Sequence, residues 1–328
     1  MTQGKPETAR TVGLPPRMVS ALGQTPSGDP LSANRAPCES ISPWVARVYA
    51  TQVDVGDNDL IECGLISDTS VLRVLFSGDW TATTRDGTGR YGRQALLFGP
   101  QKRRMEVSVR GSFATVGLAL KPGAVAALRG PKNTDTLDRI IPIDYIFGDK
   151  EWGRSEFLLS CFEEGQPAEH RLRVAEKLME QLVENRGGAR PDPIMEDFDR
   201  AVFEDPSLSI AEFAEEHDIE RRRLERVIKA GYGLTATQVL RRARALDIAS
   251  HLLGVADDSE AEEAALRFFD QSHMIREFKT FFGMTPRQFT AKPQPFMTLT
   301  LEARQARRLE VLGRTLPGQT PPWREAAE

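Results

Sequence analysis

The stretch FDQSHMIREFKTFFGMTP, residues 269–286, decides the fold of the C-terminal third of the chain. Its apolar residues recur every three to four positions, which predicts a helix from about 272 to 282 with one buried face. Gly283 follows as a helix stop, and Thr-Pro begins the next helix. The opposite face of the predicted helix is polar and basic, with Ser272, His273, Arg276 and Thr280 turned outward and Lys279 at the edge.

A second helix of the same design is predicted upstream, from about 221 to 230. Its apolar side carries Leu224, Val227 and Ile228, and its other side carries Arg222, Arg226 and Lys229 at spacings of four and three. Between residues 221 and 244, eight basic residues stand against the single acidic Glu225, so the local net charge is +7 in a chain whose net charge is −4. DNA contact must therefore come from local clusters rather than from bulk charge.

The segment between these two helices predicts one continuous helix from Thr235 to Leu253, about 27 Å long at 1.5 Å per residue. Capping boxes at Ser209, Thr235 and Ser259 and stops at Gly233, Gly254 and Gly283 predict an all-α domain. In a helix-turn-helix, one helix braces and the next enters the major groove. A spacer of this length would place two such units in successive grooves.

These motifs resemble the AraC family of bacterial transcription regulators. The resemblance is carried by LSIAEFA at 208–214, RLER at 223–226 and the stretch at 269–286, and it covers about a hundred residues. It implies a bipartite DNA-binding domain that follows an N-terminal effector or dimerisation domain.

Residues 41–150 have a strand-like pattern, with apolar or alternating runs at 70–76 and 114–120 between turn residues. This spacing predicts a β-sandwich or small barrel, so that the fold class of the whole chain is α+β. The region is similar to the family's cupin-like sensor domain at 97–100, 116–128 and 139–144.

We expect five segments. They are a disordered arm at 1–40, a cupin-like effector or dimerisation domain at 41–150, a helical linker at 151–190, the DNA-binding domain at 191–290, and a C-terminal extension at 291–328 read as a solvated appendage. The helix at 169–186 is either a dimer seam or a helix packed on the β-domain. The sequence contains no run of about 18 apolar residues, so it predicts no membrane-spanning segment. Three widely separated cysteines suit a reducing compartment, the cytoplasm.

Five positions depart from the family pattern. Glu220 stands at a helix cap that is usually Ser, Asp218 and Arg267 stand in turns that usually hold Gly, and Glu262 and Glu263 replace apolar and small residues. Carboxylates near phosphates repel, so the second unit is expected to bind DNA weakly or with an unusual sequence preference. A protein-interaction module with a degenerate helix-turn-helix therefore stays open as an alternative.

The expected DNA contacts divide into base readers and phosphate contacts. Arg222, Arg226 and Lys229 are expected in the first groove, and Ser272, His273 and Arg276 in the second. Lys229, Lys279, Arg241 and Arg242 are expected mainly at phosphates. The full predicted set is Arg221, Arg222, Arg223, Arg226, Lys229, Arg241, Arg242, Gln271, Ser272, His273, Arg276 and Lys279. The expected partners are double-stranded DNA, a small-molecule effector and, for an activator, RNA polymerase, with homodimerisation open.

A cluster of basic residues in the β-region suggests an effector site. If strands bring these residues together with an aromatic ring, they would suit an anionic effector such as a nucleotide or cyclic dinucleotide. The predicted effector residues are Trp80, Arg85, Arg90, Arg93, Arg103 and Arg104.

Other chemistries find little support in the sequence. GTGRYG at 87–92 matches the dinucleotide fingerprint by letters, but Asp86-Gly87 reads as a hairpin turn and no helix pattern follows. Residues 41–150 contain no His, and the four histidines lie scattered in the helical part. We therefore predict no catalytic residues, no metal site and no cofactor, and a cupin-type enzyme is the less favoured alternative.

Overall fold

The computed structural model describes residues 32–163, 165–256, 271–317, 319 and 322–325. Ten strands build the N-terminal half. They are β1 Ser32–Arg35, β2 Val45–Val53, β3 Leu60–Leu65, β4 Val71–Leu75, β5 Asp79–Thr84, β6 Gly87–Tyr91, β7 Gln94–Phe98, β8 Met105–Arg110, β9 Phe113–Leu120 and β10 Ile140–Pro142. The strands predicted at 70–76 and 114–120 correspond to β4 and β9.

The strands form two antiparallel sheets. One has the order β1-β2-β9-β4-β7-β10 and the other the order β3-β8-β5-β6. Side chains that alternate inward, such as Val107 and Val109 on β8 and Leu75 on β4, share one buried core with Trp80 and Phe113. Two residues join β5 to β6, and Gly87 has φ +110°. The stretch that matched the dinucleotide fingerprint by letters is therefore part of a β-hairpin, as predicted.

Short helices close the N-terminal half, and one long helix covers the six-stranded sheet. They are α1 Ala124–Ala127, α2 Asn133–Thr136, α3 Asp144–Phe147, α4 Ser155–Ser160 and α5 Ala168–Asn185. The apolar stripe of α5, including Leu172, Ala175 and Met179, packs on β2 and β9 and shares a core with them. Of the two readings of this helix, packing on the β-domain describes it.

The C-terminal half is helical. Its helices are α6 Ile194–Glu204, α7 Ile210–Glu216, α8 Arg221–Tyr232, α9 Ala236–Leu252, α10 Gln271–Phe282, α11 Pro286–Thr290, α12 Pro295–Val311 and α13 Pro322–Glu325. The predicted α+β class is confirmed, with an antiparallel β-domain followed by a helical region. Gly233, Gly254 and Gly283 have φ values of +70°, +68° and +72°, and two of them directly follow α8 and α10, as helix-stopping glycines do.

Two expectations for the ends of the chain are wrong. Residues 32–35 form the edge strand β1, paired with β2, although the disordered arm was expected to extend to residue 40. The C-terminal extension is not a solvated appendage, because α12 is buried through Met297, Leu301 and Leu309. It packs against β1, β2, β3 and α9, so it lies between the β-domain and the helical domain. No helix in the described part of the chain is long and apolar enough to cross a membrane.

Candidate nucleic-acid interface

Helices α7 and α8 form the first pair expected of a helix-turn-helix. The Ser209 hydroxyl accepts a hydrogen bond from the Glu212 amide at 3.3 Å and caps α7. In the turn, Asp218 adopts φ +47°, the left-handed backbone that glycine takes at lower cost. This explains why the family pattern usually has Gly at that position. The chain here makes the same turn with Asp.

Helix α8 separates its two faces cleanly. Leu224, Ile228 and Tyr232 are buried with Phe198 and Phe213 of the preceding helices. The remaining face is exposed and basic, and it carries Arg221, Arg222, Arg223, Arg226 and Lys229. One of these cations is partly neutralised, since Arg221 Nε lies 3.1 Å from the Glu225 carboxylate one turn along the helix. The three predicted base-reading residues are thus held on one rigid, exposed strip.

Helix α10 has the same division. Phe278, Phe281 and Phe282 are buried, and the rings of Phe278 and Phe282 stack at 4.2 Å. The predicted base-reading residues Ser272, His273 and Arg276 are on the exposed side, and so is the predicted phosphate contact Lys279. The side chain of Gln271 lies outside the described residues, as do Ser259, Glu262, Glu263 and Arg267. The predicted bracing helix of the second unit is therefore not described.

Helix α9 separates α8 from α10. It spans 17 residues, about 25 Å at 1.5 Å per residue, and begins at the predicted Thr235 capping box. Its basic residues do not form a DNA-facing strip. Arg242 is only 1% exposed, and its guanidinium donates to the carbonyls of Gln101 at 2.8 Å and Asp68 at 2.7 Å. Burial lowers the pKa of Arg242. The predicted phosphate contact through Arg242 is wrong for this arrangement, because the side chain holds the β-domain instead.

Arg241 also has a partner within the protein. Its Nε lies 2.5 Å from the Glu277 carboxylate, and Arg244 lies 3.4 Å from the other oxygen of that carboxylate. Glu277 is 2% exposed, so this acid on α10 is a buried clamp onto α9. Sequence reasoning missed the clamp, although Glu277 falls on the apolar face with Met274, Phe278 and Phe281. An acidic residue on the apolar face of a predicted helix was the signal in the sequence that could have indicated a buried ion pair.

The C-terminal end of α8 touches the β-domain. The Asn133 side-chain amide donates to the Gly231 carbonyl at 2.5 Å, and the Gly123 amide donates to the same carbonyl at 3.3 Å. A Cβ at Gly233 would lie 2.7 Å from the Asn133 carbonyl oxygen, so the close approach requires glycine there. Helix α8 is therefore directly connected to the N-terminal half.

Helix α12 joins the same regions a second time. Arg304 pairs with Asp68 of the β-domain at 2.9 Å and with Asp247 of α9 at 2.7 Å. Burial opposes the charge on Arg304, but these two carboxylates outweigh it and raise its pKa. Arg307 pairs with Asp199 of α6, and Asp199 also accepts from the buried Tyr232 hydroxyl of α8. Helix α12 thus connects the β-domain directly to α9 and α6, and through Asp199 to α8.

The predicted effector residues do not come together as one site. Trp80 is 4% exposed inside the β-sandwich, stacked on Phe296 of α12 at 5.7 Å. Arg85, Arg90, Arg93 and Arg103 are partly or fully exposed on the outer turns and strands. Arg90 is 4.0 Å from Asp79 and 82% exposed, and Arg85 is 4.0 Å from Asp86. Arg104 packs against Gly64, and its amide donates to the Phe281 carbonyl of α10 at 2.7 Å. The arginines and Trp80 therefore do not share a pocket.

Residues 213–292 match a family model described as a helix-turn-helix domain. This match extends from α7 through α11, so it includes both exposed basic helices. The prediction of a helix-turn-helix is confirmed for this C-terminal part of the chain. A search of curated proteins found no match.

The similarity to solved structures is low over the whole chain. ToxT from Vibrio cholerae aligns with a TM-score of 0.42 and 12% identity, over 74% of this chain and 97% of ToxT. A ToxT structure bound to an unsaturated fatty acid aligns with a TM-score of 0.42 and 12% identity, over 80% and 95%. The AraC-like transcriptional activator CuxR aligns with a TM-score of 0.25 and 15% identity, over 66% and 86%.

Proposed function

We propose that this protein is a sequence-specific DNA-binding transcription regulator, which reads DNA through α8 and α10. The observation that carries the proposal is the exposed basic strip Arg222, Arg226 and Lys229. It lies on the second helix of a helix-turn-helix whose other face is fully packed. Arginine pairing with guanine contributes about 1–3 kcal/mol of discrimination at a base pair, so a few such residues supply specificity.

The phosphate contacts are proposed for a smaller set than the sequence suggested. Lys229 and Lys279 are exposed at the edges of their helices and remain in the set. Arg241 and Arg242 leave it, because their guanidinium groups are already bonded to Glu277 and to backbone carbonyls. The acidic chain as a whole repels DNA, and these local strips have to outweigh that repulsion.

We propose that the β-domain is the effector domain of the regulator. Its contacts to α8 through Asn133 and to α9 through Arg242 give a direct physical route from the β-sheets to the DNA-binding helices. A ligand that shifts the sheets would change the position of α8, and DNA affinity would follow. For an activator, RNA polymerase would be a further partner.

Genome-wide mapping of the binding sites of the tagged protein, followed by gel-shift titration of the best site, tests the proposed function. The informative variant replaces Arg222, Arg226 and Arg276 together with Ala. Its matched control replaces three exposed cations outside the strips, Arg110, Arg173 and Lys177, and so removes the same charge. We expect the first variant to lose at least a hundredfold in affinity, since each lost contact costs about 1–3 kcal/mol.

The control separates readout from bulk charge, because it is expected to bind within a few-fold of wild type. Absence of discrete genomic sites, or equal loss in both variants, would contradict the proposal. That result would favour the protein-interaction module with a degenerate helix-turn-helix.

A further inference from the structure

A cavity of about 120 Å³ lies inside the β-domain, between the two sheets and helix α12. Its wall is largely aromatic and aliphatic, and it includes Leu65, Val71, Trp80, Phe98, Phe113 and Phe296. An apolar cavity of about 150 Å³ binds benzene, and the cavity here is of the same order of size. The space therefore suits a small apolar body rather than a nucleotide, which is several times larger.

Four arginines line this cavity, and three of them are neutralised. Arg47 pairs with Glu310 at 2.5 Å, Arg304 pairs with Asp68 and Asp247, and Arg307 pairs with Asp199. The fourth, Arg73, is half-buried and has no carboxylate within ion-pair distance among the described residues. A cation held in an apolar cavity without a counter-ion favours an incoming anion, because the attraction is strong where water is scarce.

Arg73 is held in place by its neighbours on the sheet. Tyr49, Gly117 and Arg73 face one another across the strands β2, β9 and β4. The Arg73 Nε donates to the Tyr49 hydroxyl at 2.7 Å, and its guanidinium carbon lies 4.5 Å from the Phe98 ring centre. A Cβ at Gly117 would lie 2.2 Å from the Tyr49 ring, so only glycine leaves room for this arrangement. The two terminal nitrogens of Arg73 make no hydrogen bond to the described residues, and a planar guanidinium suits a carboxylate.

We infer that this cavity binds a small apolar monocarboxylate, of about the size of benzoate, with its carboxylate on Arg73 and its apolar body against Trp80 and Phe296. The inference rests on the proposed function for its biological meaning, since the site would be that of the effector. It replaces the outer arginines and the nucleotide with a different site and a different ligand class. The roof of the cavity is α12, whose Arg304 and Arg307 reach α9 and α6, so the bound molecule would contact the element that joins the domains.

Calorimetry and ligand-induced thermal shift on the full chain test the site. The probes are benzoate, phenylacetate and hexanoate, with benzamide and benzyl alcohol as neutral analogues and AMP as the nucleotide. We expect the carboxylates to bind at least tenfold more tightly than the neutral analogues, because a hydrogen-bonded charge pair is lost in the latter. Equal binding of neutral and charged probes, AMP as the tightest ligand, or no binding of any carboxylate would overturn the inference.

The matched variants are Arg73→Gln inside the cavity and Arg90→Gln on the outer hairpin. Arg73→Gln is expected to weaken benzoate binding at least tenfold, whereas Arg90→Gln leaves it unchanged. Tyr49→Phe keeps the ring but removes the hydrogen bond to Arg73, so it should weaken binding a few-fold and provides a second test if Arg73→Gln does not fold. Loss of binding in Arg90→Gln but not in Arg73→Gln would overturn the cavity site.

Gel shifts on the mapped DNA site, without added probe, keep the two conclusions separate. A protein that binds DNA specifically but binds none of the carboxylates contradicts only the cavity inference. A protein that binds benzoate through Arg73 but ignores DNA contradicts only the proposed function.

Discussion

The basic residues of α8 and α9 belong to one charged stretch of sequence, yet they occupy opposite environments. On α8, Arg222 and Arg226 are exposed on a strip that none of the described elements covers. On α9, Arg242 is buried and bonded to two backbone carbonyls of the β-domain. The density of positive charge therefore does not distinguish a DNA contact from a structural connection between domains.

The two kinds of arginine differ in whether they lie on the apolar face of their helix. On α9, Val239, Arg242, Ala243 and Leu246 follow the spacing of one helical face, and all four are buried. On α8, Arg222 and Arg226 lie two positions before and two positions after the buried Leu224, which places them on the opposite side of the helix. A buried arginine needs every donor satisfied, so it is found where backbone carbonyls or carboxylates are already in place.

The largest effect is expected from replacing Arg242. Arg242→Met keeps the length of the side chain but leaves the carbonyls of Gln101 and Asp68 without their donors. We expect it to lower the free energy of unfolding by about 3 kcal/mol, since unsatisfied buried polar groups cost about 1–3 kcal/mol each. Urea unfolding followed by tryptophan fluorescence measures the change.

Arg226→Met is the control on α8, because it removes the same charge from an exposed position. Its unfolding free energy should stay within about 0.5 kcal/mol of wild type while DNA affinity falls. If Arg242→Met instead unfolded like wild type and bound DNA as weakly as Arg226→Met, the distinction between the two helices would be wrong.

The next effect concerns the clamp between α9 and α10. Glu277→Gln removes the charge that faces Arg241 and Arg244, and we expect a loss of about 2 kcal/mol in the free energy of unfolding. Glu225→Gln is the matched change on α8, where the pair with Arg221 is exposed, and it should cost less than about 0.5 kcal/mol. Comparable losses in the two variants would show that the burial of Glu277 does not strengthen its ion pairs.

The sequence predicts the local structure of these helices but not their contacts with distant segments. Local periodicity predicted the helices at 272–282 and 235–253, and α10 and α9 agree with them to within one residue at each end. It also placed the exposed strip of α8. It missed the burial of α12 and the partners of Arg242, because Asp68 and Gln101 lie more than 140 residues before Arg242 in the chain. Contacts between distant segments leave no local pattern.

The predicted effector residues do not come together for a related reason. Arg90 lies on β6 and Arg85 and Arg93 lie in the turns on either side of it, all of them exposed, whereas Trp80 is buried in the core. Arg73 was not singled out, since one arginine in an apolar strand looks unremarkable by itself. Its meaning depends on Tyr49 and Gly117, which only the strand register brings beside it.

A smaller effect sharpens the account of α8 itself, because its exposed cations are proposed to differ in role. Each phosphate contact adds about one unit to the dependence of log affinity on log salt concentration. Lys229→Ala should therefore reduce that slope by about one and weaken binding to all sequences similarly. Arg226→Ala should instead weaken the mapped site more than a scrambled site. Gel-shift titrations at several salt concentrations measure both quantities, and identical behaviour of the two variants would contradict separate roles.

The smallest effect is expected at Arg35, whose exposure is intermediate between that of the buried Arg242 and that of the exposed arginines of α8. Arg35 on the edge strand β1 is partly exposed, and it pairs with Glu176 of α5 at 2.7 Å. Burial raises the pKa of Glu176, but the hydrogen bonds from Arg35 and from the Cys38 amide outweigh it and lower the pKa below its ordinary value. A carboxylate with a lowered pKa stabilises the folded protein above the pKa of the unfolded chain, about 4.3, and this stabilisation is lost as the pH falls through the folded value.

Glu176→Gln should therefore lower the free energy of unfolding by about 1 kcal/mol at pH 7, and the difference from wild type should narrow as the pH falls below about 4. Urea midpoints between pH 7 and pH 3 measure it. Glu169→Gln is the control, because Glu169 pairs with the same Arg35 but is 57% exposed, so its effect should be smaller. A difference that narrows in acid would show that the ion pair of Arg35 with Glu176 stabilises the fold, so that Arg35, like Arg242, has a structural role. A difference independent of pH would mean that the charge of Glu176 does not stabilise the fold, and that the loss comes from the Gln amide group, which cannot accept from both Arg35 and the Cys38 amide.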